Sequence, residues 1–332
     1  MARKPKVFAT HTLFEQARRL LAEPCEVDYW TADHRPPRAE VLKRVAGKDA
    51  LICLLTERVD RELLEAAGPS LRMVANVAVG FDNVDLPACT LRHVAVTNTP
   101  GVLDETTADF TWTLLLAVAR RLVEADRVVR SGEWIGWNLD QFCGTDVWGK
   151  TLGIIGLGRI GRAVARRAKG FGMRVVYHSS SRAPAEVEGE LGAQFVTFQQ
   201  LLEQADFVSL HVPLSADTRG LIGPAELARM KPGAFLINTT RGPVVQEAAL
   251  VEALEQGKIA GAALDVFERE PLVSDGLRRN NVVLAAHMGS ASTETRGKMA
   301  EIAAENVLAF FSGKRPPTIL NPEVLEKVLE KD

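Results

Sequence analysis

Short apolar runs alternate with amphipathic stretches almost from the start of the chain. Strands are predicted over 6–10, 50–55 and 71–77, with helices over 13–21 and 60–67 between them. Apolar runs separated by helix-length segments are the pattern of a parallel sheet whose crossovers are helices. One long helix is predicted over 106–131, where Phe110, Leu114, Ala117, Val118 and Leu122 recur at three- and four-residue steps. A second series follows, with strands over 151–155, 174–177, 207–210, 235–238, 262–266 and 282–285 and helices over 160–169, 246–256 and 293–311. Lys314-Arg315-Pro316-Pro317 closes the periodic pattern. Two such series in 332 residues, more than one hydrophobic core usually serves, predict two α/β domains.

Composition narrows the function. With 46% apolar and 25% charged residues the chain is too rich in core formers to be extensively disordered. Its 40 Lys and Arg nearly balance 42 Asp and Glu, so no global charge draws it to nucleic acid or to a membrane surface. A small-molecule partner is expected. Cys25, Cys53, Cys89 and Cys143 are scattered without CxxC spacing, which fits a reducing cytoplasm, and no metal site is expected. After the basic start the apolar run Val7-Phe8-Ala9-Thr10 is too short for a signal peptide. The longest helical apolar stretch, 112–119, stops at Arg120-Arg121, short of the ~20 residues a bilayer needs.

The strand over 151–155 runs straight into Gly156-Leu157-Gly158-Arg159-Ile160-Gly161 and then into a helix. A GxGxxG placed between strand and helix is a dinucleotide-binding loop. Gly156 permits the tight turn, Gly158 lets backbone approach a pyrophosphate, and Gly161 lets the helix pack on the strand. The helix N-terminus offers N–H groups and a positive dipole end to the phosphates. At the end of the next strand an NAD enzyme usually carries Asp or Glu for the ribose hydroxyls. Here the segment reads Ser179-Ser180-Ser181-Arg182. Hydroxyls and a guanidinium suit a 2′-phosphate instead, so NADP(H) is expected to be preferred, with NAD(H) possible.

Beyond that loop stand Thr239-Thr240-Arg241-Gly242, Leu264-Asp265-Val266-Phe267-Glu268-x-Glu270-Pro271 and His287-Met288-Gly289-Ser290. Ahead of it stand Val77-Ala78-Val79-Gly80-Phe81-Asp82 and Thr97-Asn98-Thr99-Pro100. In this order the motifs resemble those of the D-isomer-specific 2-hydroxyacid dehydrogenases, and within them glyoxylate/hydroxypyruvate reductases, over nearly the whole chain. The resemblance implies two Rossmann-like domains: a flavodoxin-like substrate domain from 1–99 and 288–332, and an inserted doubly wound dinucleotide-binding domain over 100–287. It also implies a homodimer and hydride transfer between the nicotinamide and C2 of a small 2-keto or 2-hydroxy acid.

Arg241, Glu270 and His287 are the catalytic candidates. A guanidinium at the carboxyl end of the 235–238 strand can hold a substrate carboxylate by paired charge-assisted bonds. Reduction of a ketone needs a proton donor at oxygen, and imidazolium titrates in the useful range. A carboxylate bonded to the second imidazole nitrogen favours the charged ring, the role the resemblance gives Glu270. It places Leu55, Val79 and Gly80 with Arg241 and His287 on the substrate. To the coenzyme it assigns Thr107, Leu157, Arg159, Ile160, His211, Pro213, Thr218, Thr239, Thr240, Asp265, Gly289 and Ser290 beside the glycines, the serines and Arg182, with Arg241 and His287 also reaching it. Gln141 stands where related hydroxypyruvate reductases often carry a Trp that reaches the partner subunit's site. A phosphite dehydrogenase of the same family, or a nicotinamide-sensing binding protein of this fold, would share most of these motifs.

Overall fold

The computed structural model describes residues 3–325. Among them the chain forms two compact units: Asp104–Ser290 is one, and the segments before and after it, up to Leu103 and from Ala291 on, build the other. The breaks fall at 103/104 and 290/291; the sequence placed them at 99/100 and 287/288.

The unit made from both ends of the chain holds β1 (Lys6–Ala9), β2 (Glu26–Tyr29), β3 (Ala50–Cys53), β4 (Met73–Asn76) and β5 (Ala95–Thr97). They lie in the order β2-β1-β3-β4-β5, all parallel, which is the flavodoxin-like order. Helices cover both faces, so the strands must be apolar on both sides. Along β1, Val7 and Ala9 face one cluster with Ala300, Ala303, Val307 and Phe310 of the helix Thr293–Phe311, while Phe8 faces the opposite one with Leu51, Leu63 and Val74.

The inserted unit holds β6 (Thr151–Ile155), β7 (Arg174–His178), β8 (Ala193–Phe195), β9 (Phe207–Leu210), β10 (Phe235–Asn238), β11 (Gly261–Leu264) and β12 (Val282–Leu284). Their order, β12-β11-β10-β9-β6-β7-β8, again fully parallel, is a doubly wound sheet that reverses between β6 and β9. Ligands of open α/β sheets bind at the carboxyl ends of the strands at such a reversal. The glycine loop follows β6 and His211 follows β9, so both stand there.

The single helix expected over 106–131 is two. Asp104–Ala119 is buried along much of its length, and Leu122–Arg130 buries none of its residues. The break sits at Arg121, whose φ is +51°. A tertiary contact makes it: the Ala119 carbonyl, which would accept the next turn's N–H, accepts from Thr145 N at 2.8 Å. A Cβ at Gly144 would lie 2.2 Å from that oxygen, so glycine is what lets the 144–145 backbone dock on the helix end.

Candidate active site

The glycine loop has the geometry its sequence demands. Gly156 has φ +97°, and a Cβ there would stand 2.6 Å from the His211 carbonyl; at Gly161 it would stand 2.2 Å from the Gly156 carbonyl. Around Gly158, by contrast, nothing lies within 4 Å, so its backbone is open to close approach. Gly158 is the N-cap of the helix Arg159–Ala168, and no side chain caps that terminus. A pyrophosphate fits such a cradle. Leu157 is buried, so only its backbone can serve a coenzyme; its N–H donates to Ser179 Oγ at 2.7 Å and ties the loop to the end of β7.

The rest of the 179–182 segment is partly engaged. Arg182 donates from Nε and Nη2 to Glu188 at 2.9 and 2.8 Å. That guanidinium, and then the Tyr177 hydroxyl, hold the Glu188 carboxyl down to about 2. Ser180 and Ser181 are exposed. Beyond β9, His211 shares a 2.8 Å bond with Ser209 Oγ, and burial pushes its imidazole down to about 3, so it is neutral. Thr218 donates to the Pro213 carbonyl at 2.6 Å and accepts from Ser215 N, folding 213–218 into a closed turn.

After β10, buried Asn238 wraps the Thr239-Thr240-Arg241 turn: its Oδ1 accepts from Thr240 N and Oγ1, and its Nδ2 donates to the Arg241 carbonyl at 3.1 Å. Thr239 shares a 3.0 Å bond with Thr111. Next comes an unusually close approach. A Cβ at Gly242 would lie 1.9 Å from the Phe267 carbonyl carbon and oxygen and 2.4 Å from Glu268 N, so only glycine lets the turn press against the 267–270 loop. Glu247 accepts the Glu268 N–H and clamps that loop from the other side.

Glu270 caps the same loop, accepting from Phe267 N at 3.0 Å with Oε1, and its Oε2 meets His287 Nδ1 at 2.8 Å. Burial raises the Glu270 carboxyl, but the His287 bond and charge, the Phe267 N–H and the Arg241 charge outweigh it and leave it below the ordinary range. His287 has φ +52°, a left-handed conformation uncommon outside glycine. Asp265 over-determines it: the Asp265 carbonyl accepts from His287 N at 2.8 Å, and its carboxylate accepts from Met288 N and Gly289 N at 2.7 and 2.8 Å. Burial pushes the Asp265 carboxyl up, with those two N–H groups opposing. Asp265, expected at the coenzyme, is thus first of all the anchor of the histidine turn, with one further acceptor direction on each oxygen. Thr107 is buried beside Gly289. The inserted unit therefore brings Arg241, Glu270 and His287 together from three strand ends.

The sequence profile of the D-isomer specific 2-hydroxyacid dehydrogenase NAD binding domain matches residues 112–289. A glyoxylate reductase of Thermococcus litoralis is 52% identical over 327 residues, 97% of this chain and 98% of that one. The chain belongs to the D-isomer specific 2-hydroxyacid dehydrogenase family. Among solved structures, a Thermus thermophilus protein superposes with a TM-score of 0.89 at 45% identity, covering 95% of this chain and 99% of its own. The NADPH-dependent glyoxylate/hydroxypyruvate reductase of Sinorhizobium meliloti, solved with NADP and malonate, gives 0.84 at 35% identity, covering 96% and 98%. As a member of this dehydrogenase family the chain is an oxidoreductase that uses a nicotinamide coenzyme and acts on a small 2-hydroxy or 2-keto acid. Among the described residues no helix is long and apolar enough to cross a membrane.

The other unit holds the remaining candidates of this dehydrogenase. Leu55 lies half-buried in the turn after β3. In the loop after β4 both carbonyls are pinned: Val79 O accepts from Asn98 Nδ2 at 2.8 Å and Gly80 O from Asn76 Nδ2 at 3.0 Å. Among the described residues no protein group accepts from the Val79 or Gly80 N–H. Two such adjacent donors suit an anion. Asn76, Asn238 and Glu247 escaped the sequence reading, and Asn98 and Gly242 stood in its motifs without these contacts being foreseen. Its one available signal was an Asn ending each of the apolar strands β4 and β10, where a buried amide must find partners.

Proposed function

We propose that this chain is a glyoxylate/hydroxypyruvate reductase in which His287 protonates the substrate carbonyl oxygen. The observation that carries the reading is the 2.8 Å bond from His287 Nδ1 to Glu270, on a histidine held in a left-handed turn by Asp265. With Nδ1–H directed at a carboxylate, Nε2 is the nitrogen that presents a proton to substrate, and Glu270 balances the imidazolium charge before transfer. Arg241, set at the carboxyl end of β10, holds the substrate carboxylate in a two-point grip that orients the carbonyl. To the same carboxylate we assign the N–H groups of Val79 and Gly80, and to the C3 side of the substrate the Leu55 side chain.

The nicotinamide coenzyme, held by the Gly156–Gly161 loop, Thr107, the 211–218 turn, Thr239, Thr240, Asp265, Gly289 and Ser290, supplies the hydride when bound. We assign it as NADP(H) in preference to NAD(H). Supporting this, no carboxylate ends β7, Ser180 and Ser181 are exposed, and Arg182 keeps Nη1 outside its pair with Glu188. The Sinorhizobium relative is named NADPH-dependent, and the Thermococcus relative a glyoxylate reductase. The test is a panel of 2-keto acids with NADPH and NADH. Glyoxylate and hydroxypyruvate should give the highest kcat/KM. Binding of NADPH with negligible turnover on every acid would replace the reading by a sensing protein, and faster phosphite oxidation would replace the substrate class.

We infer a homodimer through the helix Leu122–Arg130 and the segment after it. Leu122 and Val129 are more than half exposed, as are Ile135, Trp137, Leu139 and Trp148, an apolar concentration that isolated monomers rarely leave open. Sedimentation at micromolar concentration should give twice the 36.2 kDa chain mass, and a single-chain mass would refute it. The four cysteines are all free, which supports a reducing cytoplasm as its location.

A further inference from the structure

The turn after β3 is built on a carboxylate that no charge neutralises. Glu57 is 5% exposed. Its Oε2 accepts from the Thr10 hydroxyl and from Leu54 N, both at 2.8 Å, and its Oε1 accepts from the Thr56 hydroxyl at 2.6 Å. Among the described residues it has no ion-pair partner. Taking a carboxylate out of water against neutral donors alone is expensive, and a fold that needed only a filled position would hold an apolar side chain there at less cost. What the carboxylate does achieve is geometric: it closes 54–57 on itself and pins it to the end of β1.

The same turn is joined to the Val79-Gly80 loop. Asn83 Nδ2 donates to the Glu57 carbonyl at 2.9 Å, and Asn83 faces Asn76 across an amide–amide pair at 3.2–3.3 Å. Asn76 in turn holds the Gly80 carbonyl. A continuous polar chain thus runs from Thr10 through Glu57, Asn83 and Asn76 to Gly80. One end carries Leu55, and the other carries the two N–H groups without a protein acceptor.

We propose that Glu57, through Asn83 and Asn76, is the positioning residue that sets substrate size selectivity, by fixing how far the Leu55 side chain stands from the carboxylate-binding N–H groups of Val79 and Gly80. This rests on the substrate roles assigned above to Leu55, Val79 and Gly80. Glu57 does not touch the substrate; it acts through the turn. Displacing Leu55 opens space where a larger keto acid carries C3 and leaves the proton donor untouched, so the change falls on KM for the larger acids, and hence on selectivity, rather than on kcat.

The test compares Glu57→Ala with Glu57→Gln. Glutamine can keep every contact: its Oε1 accepts from Thr10 and Leu54 N, and its amide donates to a reversed Thr56 hydroxyl. Glu57→Ala should lower KM for 2-oxobutanoate and thereby cut the preference for glyoxylate over it about tenfold, with kcat on glyoxylate and KM for NADPH within about twofold of the parent. Glu57→Gln should restore both within about twofold. If Glu57→Ala fails to fold, Thr10→Val with Thr56→Val removes two of the three bonds and should shift selectivity the same way. Unchanged selectivity in the folded variants, a glutamine as impaired as the alanine, or a KM for NADPH that rises in step would each overturn the proposal. Failure of the functional reading shows separately, as a parent enzyme that does not reduce glyoxylate. In that case amide hydrogen exchange at Leu54, faster in the alanine or double-valine variant than in parent and glutamine, still supports the positioning, and equal rates overturn it.

Discussion

Replacing Gly242 by Ala tests whether the catalytic candidates are held by close backbone contact. The new Cβ would fall 1.9 Å from the Phe267 carbonyl carbon and oxygen, and both are main-chain atoms that cannot rotate aside. To reach even a tight van der Waals separation the 267–270 loop must withdraw by about 1.5 Å. Glu270 is tied to that loop through Phe267 N, so the 2.8 Å bond to His287 would open beyond hydrogen-bonding distance. Overpacking of this kind costs about 1–3 kcal/mol, which lowers Tm by about 2–12 °C in a unit of this size. Misplacing a catalytic pair by more than an ångström costs about 10²-fold in rate. The assay is steady-state reduction of glyoxylate at saturating NADPH, with thermal unfolding followed in parallel and Gly233→Ala as control, since nothing lies within 4 Å of a Cβ there. Gly242→Ala should lose both rate and Tm, and Gly233→Ala neither. A Gly242→Ala enzyme with kcat within threefold of the parent and an unchanged Tm would refute the argument that this contact places Glu270.

Arg241→Ala should raise KM for glyoxylate and lower kcat together, as expected of a guanidinium proposed to grip the substrate both before and during reaction, and Arg241→Lys should recover only part of the loss; full recovery by lysine in initial-rate kinetics would show that the fork geometry is unused. Ser179→Asp with Arg182→Ala should invert the NADPH/NADH ratio of kcat/KM by setting negative charge against a 2′-phosphate, and a ratio that stays in favour of NADPH would refute the assignment of that segment. Glu270 is depressed in the folded state, so that state binds fewer protons at this group than the unfolded chain does. Its stabilisation is therefore complete above the ordinary carboxylate range and disappears as pH falls through the lowered value. Because the side chain is about one-third exposed, the Tm gap between parent and Glu270→Gln should be small near pH 6 and close as pH falls below the ordinary carboxylate range; a gap that widens on acidification would contradict the direction of the shift.

What the sequence carried, and what it did not, follows from where the information lies. Strands β9 and β10 were legible to the residue, because strands buried on both faces read as nearly continuous apolar runs, and so was the helix Thr293–Phe311. The missed strands β2, β5 and β8 all lie at sheet edges, where runs of three or four residues pair with a single neighbouring strand. Nothing at Arg120-Arg121 announces a helix end, since it is imposed by Gly144 and Thr145 arriving from a distance in sequence. The site followed the same rule. Arg241, Glu270 and His287 were named through the family's motifs, and the glycine loop also by its own spacing. The groups that hold them, Asn238, Gly242 and Glu247, act through contacts such as the one between Gly242 and Phe267 that no local pattern encodes. The anchoring role of Asp265 was not legible, because its bonds to Met288 and Gly289 appear only once the chain has turned at His287.

The role proposed for His287, oriented by Glu270, is to deliver the proton in reduction of a small 2-keto acid. It is tested most directly by measuring glycolate formed and NADPH consumed, with saturating glyoxylate, in the parent and in His287→Ala. The parent should form one glycolate per NADPH, and His287→Ala should be slower by about 10²-fold or more with its NADPH affinity little changed. A variant that turned over at near the parental kcat under conditions where chemistry limits the rate would contradict the account.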